Sequence, residues 1–381
     1  MTNEVVKGFQ DFSGEEAEKR EEIRKILVGA FEKYGFEPAE TPIIEYEEFV
    51  RGQNQEDEAV SDIFKLEDKG KRKLALRYEF TFQLKRIANN KKLPYKRYQI
   101  GYVFRDEPVS SNRVRQITQC DVDIVGSSIK DDAEVLALAS GILKELGVKA
   151  TICINNRKLL NEILEEQGVK AKDKEQVIRE IDKFECVCKF NEKDIAENLK
   201  KIGAGKVLNI IKKPESYFKK YSAYKEIEEL KKYCKLYGIK VNFSPSLARG
   251  LAYYNGSVFE IKIKDMKESI CGGGSYLVDE IQSTGISFGL ERLSQLANIK
   301  TEKEKYLVVS LGKDKETIKL AGKLRKQGKN VIVYYGKPSK ALEYANAKSI
   351  NKVIFVGEEE VKRGKFKVKD MGTGKESLMQ N

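Results

Sequence analysis

The chain has 381 residues and contains neither histidine nor tryptophan. Without an imidazole, serine hydrolase triads of the usual kind and histidine-ligated zinc centres are excluded. No stretch approaches the roughly 20 apolar residues that a bilayer-spanning helix needs. The N-terminal run from Met1 to Lys7 also lacks the apolar core of a secretory signal. A cytoplasmic location without membrane contact is therefore expected. Six cysteines, at 120, 153, 186, 188, 234 and 271, form no pair of Cys-x-x-Cys units. Reduced thiols are expected, and no protein side chain is assigned to a metal.

What is present is a charged chain long enough for two or three domains: 40% of residues are hydrophobic and 34% charged. The charge is unevenly placed. From Lys303 to Asn381 there are 19 lysines and arginines against 9 acidic residues, whereas the first 302 residues hold 52 against 50. A basic terminal module beside a near-neutral body points to a polyanion such as RNA or DNA, with lysine-rich solubility as the plainer alternative.

Local patterns sketch the architecture. Apolar residues from Ala17 to Phe31 recur at helical spacing and the pattern stops at Gly35. Pro42 opens an extended piece running to Phe49. In Leu74–Thr81 strand alternation puts Arg77, Glu79 and Thr81 on one face, a carboxylate and a hydroxyl able to hold a protonated amine. A strand over Arg97–Arg105 carries Gln99, Gly101, Val103 and Arg105 together, the glycine leaving room for a flat ligand. After a loop over Asp106–Asn112, the return strand aligns Arg113, Arg115, Gln119, Asp121 and Asp123 against an apolar face. That pattern fits a half-buried strand whose polar face meets solvent or a ligand.

The run Leu247–Gly256 puts Arg249, Tyr253 and Tyr254 on a glycine-flanked turn entering a strand. An arginine fork can grip a carboxylate and a phosphate oxygen, and the tyrosine pair can close over a small planar ring. An edge strand with a buried tyrosine pair fits the same letters. Residues 155–240 read as an inserted helical module. Beyond Asn298 the pattern becomes strand, helix, strand, helix, strand from Tyr306 to Val356, a small α/β sheet.

The Leu247–Gly256 run resembles the histidine-binding signature of histidyl-tRNA synthetases, class II enzymes. The helix and proline-bearing strand resemble motif 1 of that class, the Arg105–Asp123 hairpin motif 2, and Gly285–Leu293 motif 3. The Gln119–Asp123 form is similar to archaeal and eukaryotic members. The resemblance implies an α+β catalytic domain built on an antiparallel class II sheet, with a helical insertion and a small C-terminal α/β domain that binds the anticodon. By position these are residues 1–154 and 241–300 for the catalytic domain, 155–240 for the insertion and 303–381 for the terminal domain.

It also implies site roles. Arg105 and Arg249 would be catalytic. Glu79, Phe80, Thr81, Gln119, Asp123, Arg249, Tyr253 and Tyr254 would hold histidine, with Glu79, Thr81 and Gln119 on its amine and Asp123 on its imidazole. Arg105, Glu107, Arg113, Arg115 and Arg292 would hold ATP, with Mg2+ as cofactor. Histidine transfer RNA would be the acceptor, and the enzyme a homodimer.

The chain departs from the family at Tyr78, Ala252, Ser275 and Leu277, where proline, aspartate, arginine and aspartate are frequent; Asp106 and Thr118 stand near positions where members often carry histidine. A second reading is a non-catalytic paralogue that binds histidine or uncharged transfer RNA as a regulator. A third is a related synthetase for another amino acid. The absence of histidine gains meaning under the first reading: an enzyme that charges histidine yet contains none can be translated when the charged transfer RNA is scarce. Equally histidine-free large proteins elsewhere in the same organism would remove that meaning.

Overall fold

Residues Gly14–Lys33 form a helix because Arg20, Ile23, Leu27 and Phe31 fall on one buried face. Gly35, at φ +78°, ends it in a conformation that a side chain would oppose. The computed structural model describes residues 3–52, 62–109, 114–185, 191–250, 253–264, 266, 269–299 and 304–380. The chain divides into two compact units, Met1–Ile299 and Lys300–Asn381.

In the first unit the strands are β1 (Glu37–Pro38), β2 (Ile44–Tyr46), β3 (Lys65–Glu67), β4 (Lys73–Leu76), β5 (Tyr95–Phe104), β6 (Gln116–Val125), β7 (Thr151–Asn156), β8 (Val241–Phe243), β9 (Tyr254–Lys262), β10 (Cys271–Val278) and β11 (Ile281–Gly289). Among the described residues eight of them make one sheet in the order β1-β5-β6-β11-β10-β9-β7-β8, and β2-β4-β3 make a small second sheet. The large sheet is antiparallel from β5 to β7 and parallel only at its margins. Its back face carries Cys120, Val122, Ile124, Phe259, Ile261, Ile286 and Phe288, packed with the Gly14–Lys33 and Ile129–Glu145 helices into the main core. Each such side chain contributes about 1.5–3 kcal/mol on burial, so one face secures the sheet and the other is left to polar groups.

Between β7 and β8 the chain runs through helices from Arg157 to Leu236. Part of this segment owns a separate core around Leu160, Leu164, Ile178, Ile181 and Leu199. Its last helix, Tyr224–Leu236, instead buries Tyr224, Ile227 and Leu230 in the main core.

The second unit holds β12 (Lys305–Ser310), β13 (Asn330–Tyr335), β14 (Lys352–Val356), β15 (Lys365–Asp370) and β16 (Glu376–Gln380), ordered β13-β12-β14-β15-β16. The parallel trio with helices Asp314–Lys326 and Pro338–Ala347 follows the alternation in the sequence. The helix Glu358–Arg363 and the antiparallel β15 and β16 were not anticipated. Their signal is the period-two pattern Lys365-Phe-Lys-Val-Lys, of which Phe366 and Val368 are buried.

Four local expectations are corrected. The extended piece after Pro42 is only Ile44–Tyr46, because Glu47–Arg51 turns helical with a 2.7 Å ion pair between its ends. The strand expected to reach Thr81 stops at Leu76. There Arg77 turns inward to the carbonyls of Thr41 (2.6 Å) and Tyr102 (2.8 Å), and Thr81 starts a helix. The room above Gly101 is filled, since a Cβ there would lie 2.8 Å from the Arg77 guanidinium. Finally, β6 is buried on both faces along nearly its whole length, because the polar face forms the floor of a cavity. No helix of the described residues is long and apolar enough to cross a membrane.

Candidate active site

Strand alternation on β6 sends Asp123, Asp121 and Gln119 to the face opposite the main core, and cross-strand register supplies their neighbours. Asp123 lies between Arg97 and Gly285, Asp121 between Gln99 and Ser287, and Gln119 between Gly101 and Gly289. Gln119, Asp121 and Asp123, with Gly285, Ser287 and Gly289, floor a cavity of about 310 Å3 lined also by Glu79, Thr81, Arg105, Glu107, Arg249, Tyr253, Tyr254, Gly272, Tyr276 and Arg292.

At one end Asp123 is almost fully buried. The Tyr276 hydroxyl donates to its Oδ1, and Arg97, wholly buried, approaches its Oδ2 at 3.0 Å. A Cβ at position 285 would strike the Asp123 carboxyl, so glycine is required there. Burial raises the Asp123 pKa, opposed by Arg97 and the Tyr276 hydrogen bond. Burial and the adjacent Asp123 charge likewise hold the Tyr276 phenol well above its ordinary value. Despite the close charge contact, Oδ2 of Asp123 makes no hydrogen bond of good geometry, and neither do Nε and Nη1 of Arg97. Buried acceptors in that state call for an explanation.

Further along the floor the Gln119 amide donates to Asp121 (3.1 and 3.2 Å) and Ser287 (3.0 Å). Its oxygen accepts from Arg105 at 3.2 Å. Burial, then Asp123, pushes the Asp121 carboxyl up to about 6. Arg249 adopts φ +56°, uncommon for a residue with a side chain, and its guanidinium crosses above Gly272 to Glu260 at 2.8 Å. Burial works to lower its pKa, but Tyr254, Glu260 and Asp182 outweigh burial and raise it. Its Nε is buried with no hydrogen-bond partner. Tyr253 and Tyr254 pack at 4.7 Å between centroids with their rings tilted by 49°, and Tyr276 meets Tyr253 at 5.7 Å, edge to face.

The opposite end is more open. Arg105 donates to the Tyr78 carbonyl (3.2 Å) and Arg292 to the Ser269 carbonyl (2.5 Å). Glu291 receives Arg20 and the Thr118 amide, so the Gly14–Lys33 helix braces this end.

The cavity thus gathers most residues singled out in the sequence, with exceptions. Phe80 is fully buried beneath the Arg77 guanidinium, 4.7 Å away, and does not line the cavity. Arg115 also lies off the lining, paired with Asp106 at 3.1 Å. Arg113 and Ala252 lie outside the described residues. Arg97, Tyr276, Glu260 and Glu291 were given no role from sequence. Alternation could have found two of them: Tyr276 continues the Gly272, Gly274 face of β10, and Arg97 the Gln99 face of β5.

Residues 8–293 match the histidyl-tRNA synthetase family model, and residues 305–380 match the anticodon-binding domain model. The protein named histidine–tRNA ligase 2 of Shouchella clausii is 35% identical over 97% of this chain and 96% of its own. That relative is bacterial, whereas the Gln119–Asp123 run pointed to archaeal and eukaryotic members. The crystal structure of histidyl-tRNA synthetase from Nostoc sp. aligns with TM-score 0.86 at 25% identity, covering 100% of this chain and 97% of the other. A Bacillus halodurans structure described as an ATP phosphoribosyltransferase regulatory subunit/histidyl-tRNA synthetase shares the fold at TM-score 0.77 and 22% identity, over 93% and 98% of the chains. A family model spanning most of the chain, together with a relative of this identity and coverage, establishes that the chain belongs to the histidyl-tRNA synthetase family.

Proposed function

We propose that this protein activates histidine with ATP to histidyl-adenylate and transfers the histidyl group to the 3′ end of histidine transfer RNA. One observation carries the reading: the same cavity holds a buried carboxylate oxygen, Asp123 Oδ2, ion-paired with Arg97 but without a hydrogen bond of good geometry, and a buried guanidinium nitrogen, Arg249 Nε, with no hydrogen-bond partner. An imidazole N–H answers the first and an α-carboxylate the second. Glu79, Thr81 and Gln119 line the cavity with them and suit the ammonium group. A substrate lacking the ring nitrogens would leave Asp123 Oδ2 without a well-aligned donor, which gives discrimination.

The chemistry requires no protein base. A histidine carboxylate oxygen attacks the α-phosphorus of ATP, the bond to the bridging oxygen breaks, and pyrophosphate leaves with the electron pair. Arg249 orients the nucleophile, while Arg105 is the donor suited to the charge gathering on the α-phosphate oxygens. Arg292 suits the far phosphates, and Glu107 the adenine edge. A ribose hydroxyl of the transfer RNA terminus then attacks the mixed anhydride carbonyl and AMP leaves. Mg2+ fits in a limited way. Among the described residues no three acidic, cysteine or histidine side chains cluster as an ion cage. Glu291 nevertheless lines the nucleotide end, shared with Arg20 and the Thr118 amide, and one carboxylate beside phosphates meets the ion's needs. Bound there, it would neutralise phosphate charge.

A homodimer is supported by the exposed Ile43, Ile44, Tyr46 and Leu66 around the small β2-β4-β3 sheet. The composition supports a cytoplasmic location, and the basic terminal unit a role in holding the anticodon. The test is ATP–pyrophosphate exchange with each amino acid in turn. Exchange with histidine alone is the expected outcome. Exchange with another amino acid would assign a different substrate, and none with any would favour the regulatory paralogue.

A further inference from the structure

Behind the cavity floor, Asp132 sits one turn into the helix Ile129–Glu145 and is 2% exposed. The Ser275 hydroxyl donates to its two oxygens at 3.1 and 3.0 Å. The hydroxyls of Thr284 and Ser257 also act on it, favouring its charged form, while that of Thr284 donates to the Gly274 carbonyl at 3.3 Å. Ser257, Ser275 and Thr284 belong to β9, β10 and β11, so a single carboxyl reaches three consecutive strands. The other charge acting on it is the Asp131 carboxylate, and Cys234 from the Tyr224–Leu236 helix lies within its field. Burial pushes it up to about 6 while the hydroxyls pull it down. Leu136 and Ala139, on the same helix face, are buried in the core as apolar groups usually are. A buried carboxyl without a cationic partner contributes little as packing.

Its location accounts for it. Ser275 pairs across the ladder with Thr284, and each is flanked by a cavity-facing residue, Tyr276 beside the first and Gly285 beside the second. Gly285 is in turn the register partner of Asp123. On the other side the register jumps from Gly274↔Val258 to Tyr276↔Tyr254, so three residues of β9 oppose Ser275 alone. Bulges of this kind redirect the side chains beside them.

We propose that Asp132 is a positioning residue for substrate recognition: it ties the β9 bulge and the β10–β11 pair from behind, setting Tyr254 and Tyr276 against Asp123. The role rests on the reading that this end of the cavity takes the histidine imidazole. Asp132→Leu, Asp132→Asn, Ser275→Ala and Thr284→Val are compared with the parent protein by pyrophosphate exchange, with thermal melting to verify folding. In Asp132→Leu the KM for histidine rises about 30-fold, while the KM for ATP stays within about twofold. Asp132→Asn and the hydroxyl deletions fall between it and the parent. A packing role would lower the melting temperature and leave both KM values in place. If Asp132→Leu does not fold, the two hydroxyl deletions decide. Unmoved histidine KM values in all folded variants overturn this role alone, whereas no exchange by the parent overturns the site reading and this role with it.

Discussion

The two ends of the cavity are built on different plans. At the closed end Asp123, Arg97 and Tyr276 are buried side chains bonded to one another across β5, β6 and β10, and the sheet behind them is backed by Asp132. At the open end Arg105 and Arg292 donate to main-chain carbonyls, Arg105 also to the Gln119 side chain, and the hairpin carrying Glu107 leaves regular structure after Phe104. A buried, mutually bonded set can hold one geometry and so tell one small side chain from another. Arginines parked on carbonyls can move onto phosphates at small cost and release them again. On the proposed function, selection would belong to the first plan and turnover to the second.

The largest expected effect separates the two ends outright. Asp123→Ala leaves Arg97 as an uncompensated buried charge, so stability falls by about 3–5 kcal/mol. Exchange with histidine falls at least ~10^3-fold in kcat/KM, an outcome read by steady-state kinetics and denaturant melts. Arg105→Ala should do the reverse: kcat falls about 10^2- to 10^3-fold with the histidine KM little moved and folding intact. A rise in histidine KM equal to the fall in kcat would erase the division of labour. Tyr276→Phe removes one hydrogen bond to a charged group, about 1.5–3 kcal/mol, and should raise the histidine KM roughly 10- to 100-fold while sparing ATP.

The smallest effect is on pH dependence. The folded pKa of Asp121, about 6, lies above its ordinary value because burial and Asp123 disfavour its charge. Its protonated form therefore favours the fold. That contribution is complete below about pH 4 and is lost as pH rises through about 6. Asp121→Asn should narrow the gap in melting temperature between pH 5 and pH 7.5; an unchanged gap would place the titration elsewhere on the floor.

Much of this was written locally in the chain. The helical spacing from Ala17 to Phe31, the alternation of Gln119 to Asp123 and the terminal alternation of strands and helices each follow from period alone. Arg105, Gln119, Asp123, Arg249 and Arg292 could be singled out because their residue types and order recur in a family. What stayed hidden depends on register. Nothing in the run Leu74–Thr81 reveals that Arg77 turns inward and fills the space over Gly101, since that contact joins residues far apart in sequence. Phe80 was placed at the ligand by the family resemblance, yet the Arg77 guanidinium lies over its ring. The pairing of Tyr276 with Asp123 spans 153 positions and needs β11 between the two strands.

On the proposed function the closed end would meet histidine with a carboxylate, a guanidinium and a phenol, in a chain without a single histidine of its own. The protein therefore contributes no imidazole resonance of its own. In an untagged sample saturated with labelled histidine, the bound imidazole resonances arise from the ligand alone and need no assignment against a protein background. Its tautomer, protonation state and exchange rate in the pocket can be read directly, with the acceptor at Asp123 as the group being reported on.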